Sequence, residues 1–224
     1  MCELSDRIVA SQALQLLLSI LFKCEYVSEA SVRLSLFKKK CHFSSHSGCA
    51  TWIQETYESG GADRRIGHTV TYDPDKKVLY VYGGSKNKRW FNDVNVLDLQ
   101  ENTWTAVKAL GSAPTRAYHS CNFFKGELLV FGGVYPNPDP QPDSCSNELF
   151  IFNADAKNWY KPLTTGTPPC PKSGHSASLI EDRLVLFGGW DFPQCFNDVS
   201  IIDLGKLEFS VYFTNNKMCR LKKQ

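Results

Sequence analysis

The sequence Arg116-Ala-Tyr-His119, followed by Leu129-Val-Phe-Gly132-Gly133, is the middle copy of a unit that occurs three times in this chain of 224 residues. The first copy contains Arg65-Ile-Gly-His68 and Leu79-Tyr-Val-Tyr-Gly83-Gly84, and the third contains Lys172-Ser-Gly-His175 and Leu186-Phe-Gly188-Gly189. The glycine pairs recur after 49 and then 56 residues. A repeat of this length predicts a supersecondary unit that buries its apolar faces against its neighbours.

Each copy continues with the same order of polar and apolar residues. After each glycine pair come an asparagine and an acidic residue, namely Asn92-Asp93, Asn147-Glu148 and Asn197-Asp198. An alternating segment follows, and six residues past its closing Asp or Asn stands an aromatic residue: Trp104, Trp159 and Phe209. Alternation of period two predicts strands with two faces, both of which are buried when the units stack.

The unit resembles the kelch repeat, in particular the variety with Pro-x-x-Arg-x-x-His between units, a feature carried by Ala113-Pro114-Thr-Arg116 and Pro169-Cys-Pro171-Lys172. The resemblance covers residues 63–213. It implies an all-β fold, a kelch β-propeller with three recognisable four-stranded blades around a central channel. Glycine allows dihedrals and close approaches that other residues avoid, and tryptophan offers a large apolar surface between blades. The predicted structural positions are Gly83, Gly84, Trp104, Gly132, Gly133, Trp159, Gly188 and Gly189.

Three blades are fewer than a closed propeller contains, typically four to eight. The sequence therefore predicts an incomplete ring, as in a truncated or short form of a longer propeller, with self-association to complete the ring as the alternative. Trp52 stands 13 residues before Arg65, as Trp159 does before Lys172, which predicts an outer strand left from a preceding blade. The predicted segments are a non-kelch region at 1–49, that strand and a linker at 50–62, blades at 63–111, 112–166 and 167–213, and a basic tail at 214–224.

Residues 1–49 do not follow the repeat. Ser5-Asp6 is a suitable cap for a helix to about Lys23, and Ser28-Glu29 begins a second predicted helix to about Lys39. We expect a short, partly helical segment that caps the blades or has no folded role. An F-box and an elongin-binding box are alternative interpretations, although the segment lacks the proline-containing F-box signature.

Composition favours an intracellular location, cytoplasmic or nuclear. The net charge of +2 predicts no strong attraction to nucleic acid or to an anionic membrane. The nine cysteines are scattered without a disulfide pattern. The longest apolar stretch, residues 13–22, is too short to span a membrane, and the acidic residues before it disfavour a signal peptide.

No catalytic site, metal site or cofactor is predicted. Cys41, His42, His46 and Cys49 are of metal-binding types, but their spacing matches none of the usual zinc sites. The histidine of each unit recurs with the blades, and a residue present once per blade is typical of a structural role. No glycine-rich sequence leads into a helix, as phosphate binding would require.

Binding is predicted on one face, where the loops after the glycine pairs and the loops between blades emerge together. These loops carry large aromatic and cationic side chains, which are typical of binding hot spots. The predicted partner-binding residues are Arg89, Trp90, Phe91, Arg116, Tyr118, Tyr135, Lys172, Trp190 and Phe192. In the alternative interpretation, the aromatic residues cover the blade ends and the repeated cations, Arg65 included, are structural.

The predicted function is a non-catalytic protein–protein interaction module that binds a protein or peptide on this face. The kelch resemblance implies one specific role, the substrate receptor of a cullin-type ubiquitin ligase with a ligase adaptor as second partner. The alternatives are a cytoskeletal or vesicle-traffic scaffold, a propeller metalloenzyme, and a short form with little independent function. The sequence does not identify the partner.

Overall fold

A computed structural model describes residues 60–212, together with the backbone of three further strands outside that range. Two of these strands, β1 (Lys38–Phe43) and β2 (Ala50–Glu55), pair antiparallel with Cys41 opposite Trp52. The helix predicted to about Lys39 overlaps β1 by two residues at its end, where the structure has a strand. The rest of that helix, and the helix predicted before it, lie outside the described residues.

Blade 1 is a four-stranded antiparallel sheet with a short two-stranded ribbon at one end. Its strands are β3 (Thr69–Asp73), β4 (Val78–Tyr82), β5 (Ser85–Lys86), β6 (Arg89–Trp90), β7 (Val94–Asp98) and β8 (Trp104–Val107). The sheet order is β3-β4-β7-β8, and β5 pairs with β6 in the ribbon. Every residue of β4 is buried, as expected for a strand with a neighbour on both faces.

Blade 2 repeats this arrangement. Its strands are β9 (Ser120–Phe124), β10 (Glu127–Phe131), β11 (Val134–Tyr135), β12 (Ser144–Cys145), β13 (Leu149–Asn153) and β14 (Asn158–Tyr160). The sheet order is β9-β10-β13-β14, with β11 and β12 as the ribbon. At the turn after β13, the Asn153 side chain accepts hydrogen bonds from the N–H groups of Asp155 and Ala156, which is typical turn chemistry for asparagine.

Blade 3 has the same four strands and two additional pairings. Its strands are β15 (Thr165–Gly166), β16 (Ser176–Ile180), β17 (Arg183–Phe187), β18 (Trp190–Asp191), β19 (Gln194–Cys195), β20 (Val199–Asp203) and β21 (Glu208–Tyr212), followed by β22 (Cys219–Arg220). The sheet order is β16-β17-β20-β21-β15, in which β15 runs parallel to β21 at the outer edge. The ribbon of β18 and β19 is extended by β22.

The core of the protein lies between the blades. One apolar cluster joins β4 of blade 1 to β10 of blade 2 and includes Tyr82, Leu128 and Trp159. A second joins blade 2 to blade 3 and includes Phe131 and Leu186. The prediction of three kelch blades in an incomplete ring is confirmed, because the described sheets form an arc that does not close. In the described part of the chain, no helix has the length and apolar character that crossing a membrane requires.

Candidate interaction face

The loops that follow the glycine pairs and the loops between blades meet at the same end of each sheet. In every blade, the residue after the glycine pair forms an antiparallel bridge with the residue two positions before the repeated histidine. The three bridges are Ile66–Ser85, Ala117–Val134 and Ser173–Trp190. We define the loop face as the segments that these bridges hold together, namely 63–68, 85–91, 112–118, 134–146, 167–174 and 190–196.

Below the loop face, the repeated cation of each blade forms an ion pair with the acidic residue that follows the glycine pair. The Arg65 guanidinium makes two bonds to Asp93, of 2.5 and 3.0 Å. Both Asp198 carboxylate oxygens accept a bond of 2.8 Å from the Lys172 ammonium group. These pairs tie the loop between blades to the start of the third strand, so they fix the position of the loop face.

Lys172 was predicted to contact a partner, but the structure buries it. Its side chain is 1% exposed, and its ammonium group lies between Asp198 and the ring of Phe196, 4.7 Å from the ring centroid. A buried ammonium group requires a compensating charge, which Asp198 supplies inside the blade. Direct contact between Lys172 and a partner is therefore excluded in this conformation.

Arg116 is also buried, and Glu148 supplies its compensating charge. Its guanidinium donates to Glu148 at 2.9 Å and to the Ser146 hydroxyl at 3.2 Å, and it lies under the ring of Tyr135. Burial alone would raise the pKa of Glu148, but Lys161 and Arg116 hold it below its ordinary value. Tyr135 is half-buried and thus covers the ion pair with one face of its ring.

Phe91 is the third predicted contact residue that the structure buries. Arg65 lies over one part of its ring at 3.8 Å from the centroid, and Arg89 lies at 4.8 Å. The ring therefore serves as a packing surface for two guanidinium groups, an arrangement that cation–π attraction favours. Arg89 itself remains exposed beside Asp63, and Trp90 is half-buried.

Exposed aromatic residues of neighbouring blades lie close together on the loop face. A Cβ placed on Gly67 would be 3.1 Å from the Tyr118 ring, and one placed on Gly174 would be 3.1 Å from the Trp190 ring. The Tyr118 carbonyl accepts a hydrogen bond of 2.9 Å from the Gly174 N–H, which links blades 2 and 3. We define the apolar ridge as Ile66, Tyr118, Trp190 and Phe192, all of them exposed.

Tyr118 has an unusual backbone conformation, with φ of +57°. The corresponding residues of the other blades are Gly67 and Gly174, with φ of +69° and +62°. A tyrosine in the left-handed region costs about 1–2 kcal/mol relative to glycine. The signal was visible in the sequence as a large side chain at a position that is otherwise glycine. Ile66 was missed, because an isolated apolar residue in a loop gives no pattern.

A proline-rich loop connects β11 to β12 on the loop face of blade 2. Residues 138–143 are all exposed, and the loop is held at its base by Asn137, whose side-chain amide donates to the Pro142 carbonyl and the Ser144 hydroxyl at 2.6 Å. Proline restricts the unfolded and unbound conformations of a loop, so docking of such a loop costs little entropy.

The repeated histidines lie beneath the ridge and join neighbouring blades. Nε2 of His119 lies 2.9 Å from the Thr69 hydroxyl of blade 1. Desolvation by burial, with smaller repulsive contributions from nearby cationic groups, lowers the pKa of His119 to about 3. Such a side chain is neutral at physiological pH and has a bridging role. Within residues 60–212, no group of three or more His, Cys, Asp or Glu residues is arranged to hold a metal ion.

Comparisons with known proteins agree with this architecture. A family model described as the FBX42 beta-propeller domain matches residues 65–220. Among curated relatives, Tip elongation aberrant protein 1 of Schizosaccharomyces pombe is 34% identical over 77% of this chain and 15% of its own length. Acyl-CoA-binding domain-containing protein 5 of Arabidopsis thaliana is 30% identical over 71% of this chain and 24% of its own. The Rab9 effector protein with kelch motifs of Bos taurus is 30% identical over 75% of this chain and 46% of its own.

These relatives are longer, and the chain spans less than half the length of each. The similarity therefore concerns the propeller and not the whole proteins. Kelch propellers are generally non-catalytic folds that serve in protein interaction. Since the family match covers well over half of the sequence, the chain belongs to the kelch β-propeller family described by the FBX42 beta-propeller domain.

Proposed function

We propose that the protein is a non-catalytic interaction module that binds a protein or peptide partner through the apolar ridge on the loop face. The observation that carries this proposal is the ridge itself. Four large apolar side chains lie exposed on the loop face, on a framework fixed by buried ion pairs. Exposed apolar groups on a rigid support favour binding, because they lose water and little conformational entropy on contact.

The charges beside the ridge support a protein ligand. Arg89 is exposed beside Asp63 on blade 1, whereas Asp139 and Asp143 lie in the exposed proline-rich loop of blade 2. An apolar centre with a polar rim of both signs is typical of protein interfaces. The net charge of the whole chain is only +2, which gives no strong general attraction to nucleic acid or to an anionic membrane.

The buried polar groups support a role without catalysis. His119 and His175 form hydrogen bonds between blades, and Lys172 is paired within its blade. These groups are therefore engaged in structure and lie below the surface that a substrate would reach. General acid–base catalysis requires a titratable group within hydrogen-bond distance of the substrate.

The proposal is tested by affinity purification from a cytosolic extract followed by mass spectrometry. The wild-type chain is compared with the double variant Trp190→Ala/Phe192→Ala, which truncates the two exposed residues of blade 3. We expect at least a tenfold loss of one bound protein, because truncation of aromatic hot spots costs about 2–4 kcal/mol. Since both side chains are exposed, the melting temperature should stay unchanged.

The matched control is Leu163→Ala. Leu163 is 95% exposed but precedes Thr165, which pairs with Glu208 at the end of blade 3 opposite the glycine pair. This variant removes a similar apolar group outside the loop face and should retain the partner. Identical sets of bound proteins for all three chains would contradict the proposal, and recovery of chaperones alone would favour a chain with little independent function.

The same experiment separates the more specific roles. A ubiquitin ligase receptor retains cullin or adaptor subunits in the ridge variant and loses only its client. A scaffold of vesicle traffic or the cytoskeleton retains no ligase subunit, and similarity to a Rab9 effector over 75% of the chain favours this second candidate. Both roles include an intracellular location, which is supported by the free thiols of Cys121, Cys145, Cys170 and Cys195.

A further inference from the structure

The exposed charges of the loop face are divided between the blades, although the sequence places a repeated cation in each of them. These cations are Arg65, Arg116 and Lys172. All three are buried, and each forms an ion pair with an acidic residue of its own blade. Two opposite charges in contact largely cancel each other's field above the surface. The charges that a partner meets are therefore those of the remaining loop residues.

Blade 1 carries every exposed cation of the loop face. Its segments 63–68 and 85–91 contain one exposed acidic residue and four exposed cations, which gives a net charge of +3: Asp63, Arg64, Lys86, Lys88 and Arg89. Asp63 lies 3.4 Å from Arg89. Within residues 60–212, neither Lys86 nor Lys88 belongs to an ion pair. Their charges are therefore available to a ligand.

The ribbon of blade 1 holds its cations in an unfavourable arrangement. Lys86 lies directly opposite Arg89 in the β5–β6 register, and like charges in such cross-strand pairs repel each other. Lys88 is in the turn of the ribbon with a φ of +64°, in the left-handed region that glycine favours. Both features cost stability in the free protein. An anionic group bound above the ribbon offsets the repulsion, so the arrangement favours a site for carboxylate groups.

The loops of blades 2 and 3 carry the opposite charge. Asp139 and Asp143 are exposed in the proline-rich loop, and Asp191 is half-buried in the ribbon of blade 3. Because Arg116 and Lys172 are buried, the loop-face segments of these two blades contain no exposed cation. These three carboxylates give a net charge of −3, equal in size and opposite in sign to that of blade 1.

We propose that the loop face binds a peptide segment of complementary polarity, with acidic residues over blade 1, apolar residues on the apolar ridge, and basic residues over blades 2 and 3. This inference rests on the proposed function, since it assigns the charge pattern of the ligand at the ridge. The ridge contains Ile66 of blade 1, Tyr118 of blade 2 and Trp190 of blade 3. A ligand that covers it therefore passes from the cationic loops to the acidic ones. Charge complementarity then fixes its orientation.

A ligand of uniform charge fits this face less well. A nucleic acid or a wholly acidic peptide is attracted to Lys86 and Lys88 but meets Asp139 and Asp143 on the next blade. A wholly basic peptide meets the reverse arrangement. Contact between like charges is a repulsive element that excludes wrong partners. A segment with both signs, separated by an apolar stretch, avoids this repulsion.

The test uses three fluorescein-labelled peptides with the same apolar centre, Leu-Ser-Leu-Ser-Leu. The mixed peptide has three glutamates at one end and three lysines at the other, the acidic peptide has glutamates at both ends, and the basic peptide has lysines at both ends. Binding to the full chain is measured by fluorescence anisotropy. In about 50 mM salt, we expect the mixed peptide to bind at least fivefold more tightly than either of the others. In about 500 mM salt, screening should reduce this preference to less than twofold.

Charge-reversal variants should exchange the preference. Lys86→Glu/Lys88→Glu makes the loops of blade 1 acidic, so the basic peptide should become the tightest ligand. Asp139→Lys/Asp143→Lys should instead favour the acidic peptide. The matched control is Lys157→Glu/Lys206→Glu, which reverses two charges in exposed turns at the opposite end of the sheets and should keep the wild-type order. A variant that fails to fold loses all three ligands and cannot produce an exchange of preference.

Equal affinities of the three peptides, or binding by none of them, would overturn this proposal. Tighter binding of a single-stranded DNA of about 15 nucleotides than of the mixed peptide would also overturn it. The variant Trp190→Ala/Phe192→Ala separates the charge pattern from the proposed function. If it retains both the affinities and the preference, the ridge proposal fails and the charge pattern stands. If the wild-type chain shows no preference but the variant weakens all three peptides tenfold, the ridge stands and the charge pattern fails.

Discussion

Nε2 of His175 lies 2.9 Å from the hydroxyl oxygen of Ser120, across the boundary between blades 3 and 2. The histidine is buried, and its ring also packs edge-on against Phe131 of blade 2. One side chain thus contributes a hydrogen bond and an aromatic contact to the same interface. His119, which bonds to Thr69, and His175 therefore each report on the stability of one boundary between blades.

Replacement of His175 by alanine should destabilise the boundary between blades 2 and 3. The variant loses a buried ring and leaves the Ser120 hydroxyl without its partner, so we expect the free energy of unfolding to fall by about 2–4 kcal/mol. Urea denaturation followed by tryptophan fluorescence measures the loss. Ser178→Ala, at an exposed position of β16, is the control and should change stability by less than about 0.5 kcal/mol. Equal stabilities of the two variants would contradict the bridging role.

The buried histidines also predict a pH dependence of stability. Burial lowers the pKa of His119 to about 3 and that of His175 to about 4, from an ordinary value of 6.5. The folded state thus favours neutral rings, and the unfolded chain binds more protons between pH 6.5 and about 4. Stability is complete above pH 6.5 and decreases as the pH falls, by roughly 2 kcal/mol per histidine at pH 5.

Urea denaturation at pH 7.5 and pH 5 tests this dependence. His175→Ala should lose the part of the pH effect that His175 contributes, whereas His119 and His68, whose pKa values burial also lowers, should retain theirs. The variant should be less stable at both pH values. Carboxylates contribute little in this window, since Asp93 and Glu148 have pKa values below their ordinary range and stay ionised at pH 5. An unchanged pH effect in the variant would show that groups other than His175 cause the loss of stability at low pH.

Most of the fold was predictable because the structural residues recur at fixed offsets. The glycine pair, the histidine and the outer-strand aromatic residue of which Trp159 is one copy each occur once per blade. This repetition separates them from residues that vary between blades. The ion pair between the repeated cation and the acidic residue after the glycine pair was not predicted, although both residues belong to the repeat. Arg65 and Asp93 are 28 residues apart, and only the folded sheet brings them together.

The candidate site was less predictable, since exposure depends on packing that the repeat does not encode. Phe91 and Phe192 both follow a glycine pair in a loop, yet Phe91 is buried under two guanidinium groups and Phe192 is 69% exposed. Phe131 and Phe187 have the same position in the repeat, yet Phe131 is 0% exposed between blades 2 and 3 and Phe187 is 52% exposed. The sequence therefore predicted Tyr118, Trp190 and Phe192, which are exposed, together with Phe91, Arg116 and Lys172, which are buried.

The close approach between blades predicts unequal effects of two glycine substitutions. Gly132→Ala places a Cβ 2.8 Å from the Lys172 carbonyl oxygen at a φ of +65°. Gly126→Ala has a φ of +81°, but its nearest neighbour is the end of the Asp155 side chain at 3.8 Å. Both variants lose about 1 kcal/mol from the left-handed backbone, and Gly132→Ala loses about 2 kcal/mol more from the clash. Equal midpoints of denaturation would contradict the inter-blade contact.

The buried ion pair of blade 3 predicts a large effect of removing one charge. Lys172→Met leaves the Asp198 carboxylate buried without a cation and should lower the free energy of unfolding by about 3–5 kcal/mol. The control is Lys76→Met, since Lys76 and Asp155 form an exposed pair whose loss costs about 0.5 kcal/mol or less.

Asp198→Asn, added to Lys172→Met, tests whether the unpaired charge causes the loss. The neutral amide costs less to bury, so the double variant should regain about half of the lost stability. Guanidinium chloride is unsuitable because it screens charges, and urea denaturation at low salt is the appropriate measurement. A double variant less stable than Lys172→Met would show that Asp198 stabilises the blade mainly through other partners, such as the Ser200 hydroxyl that donates to it at 3.1 Å. The repeated cation would then support the loop face by packing alone.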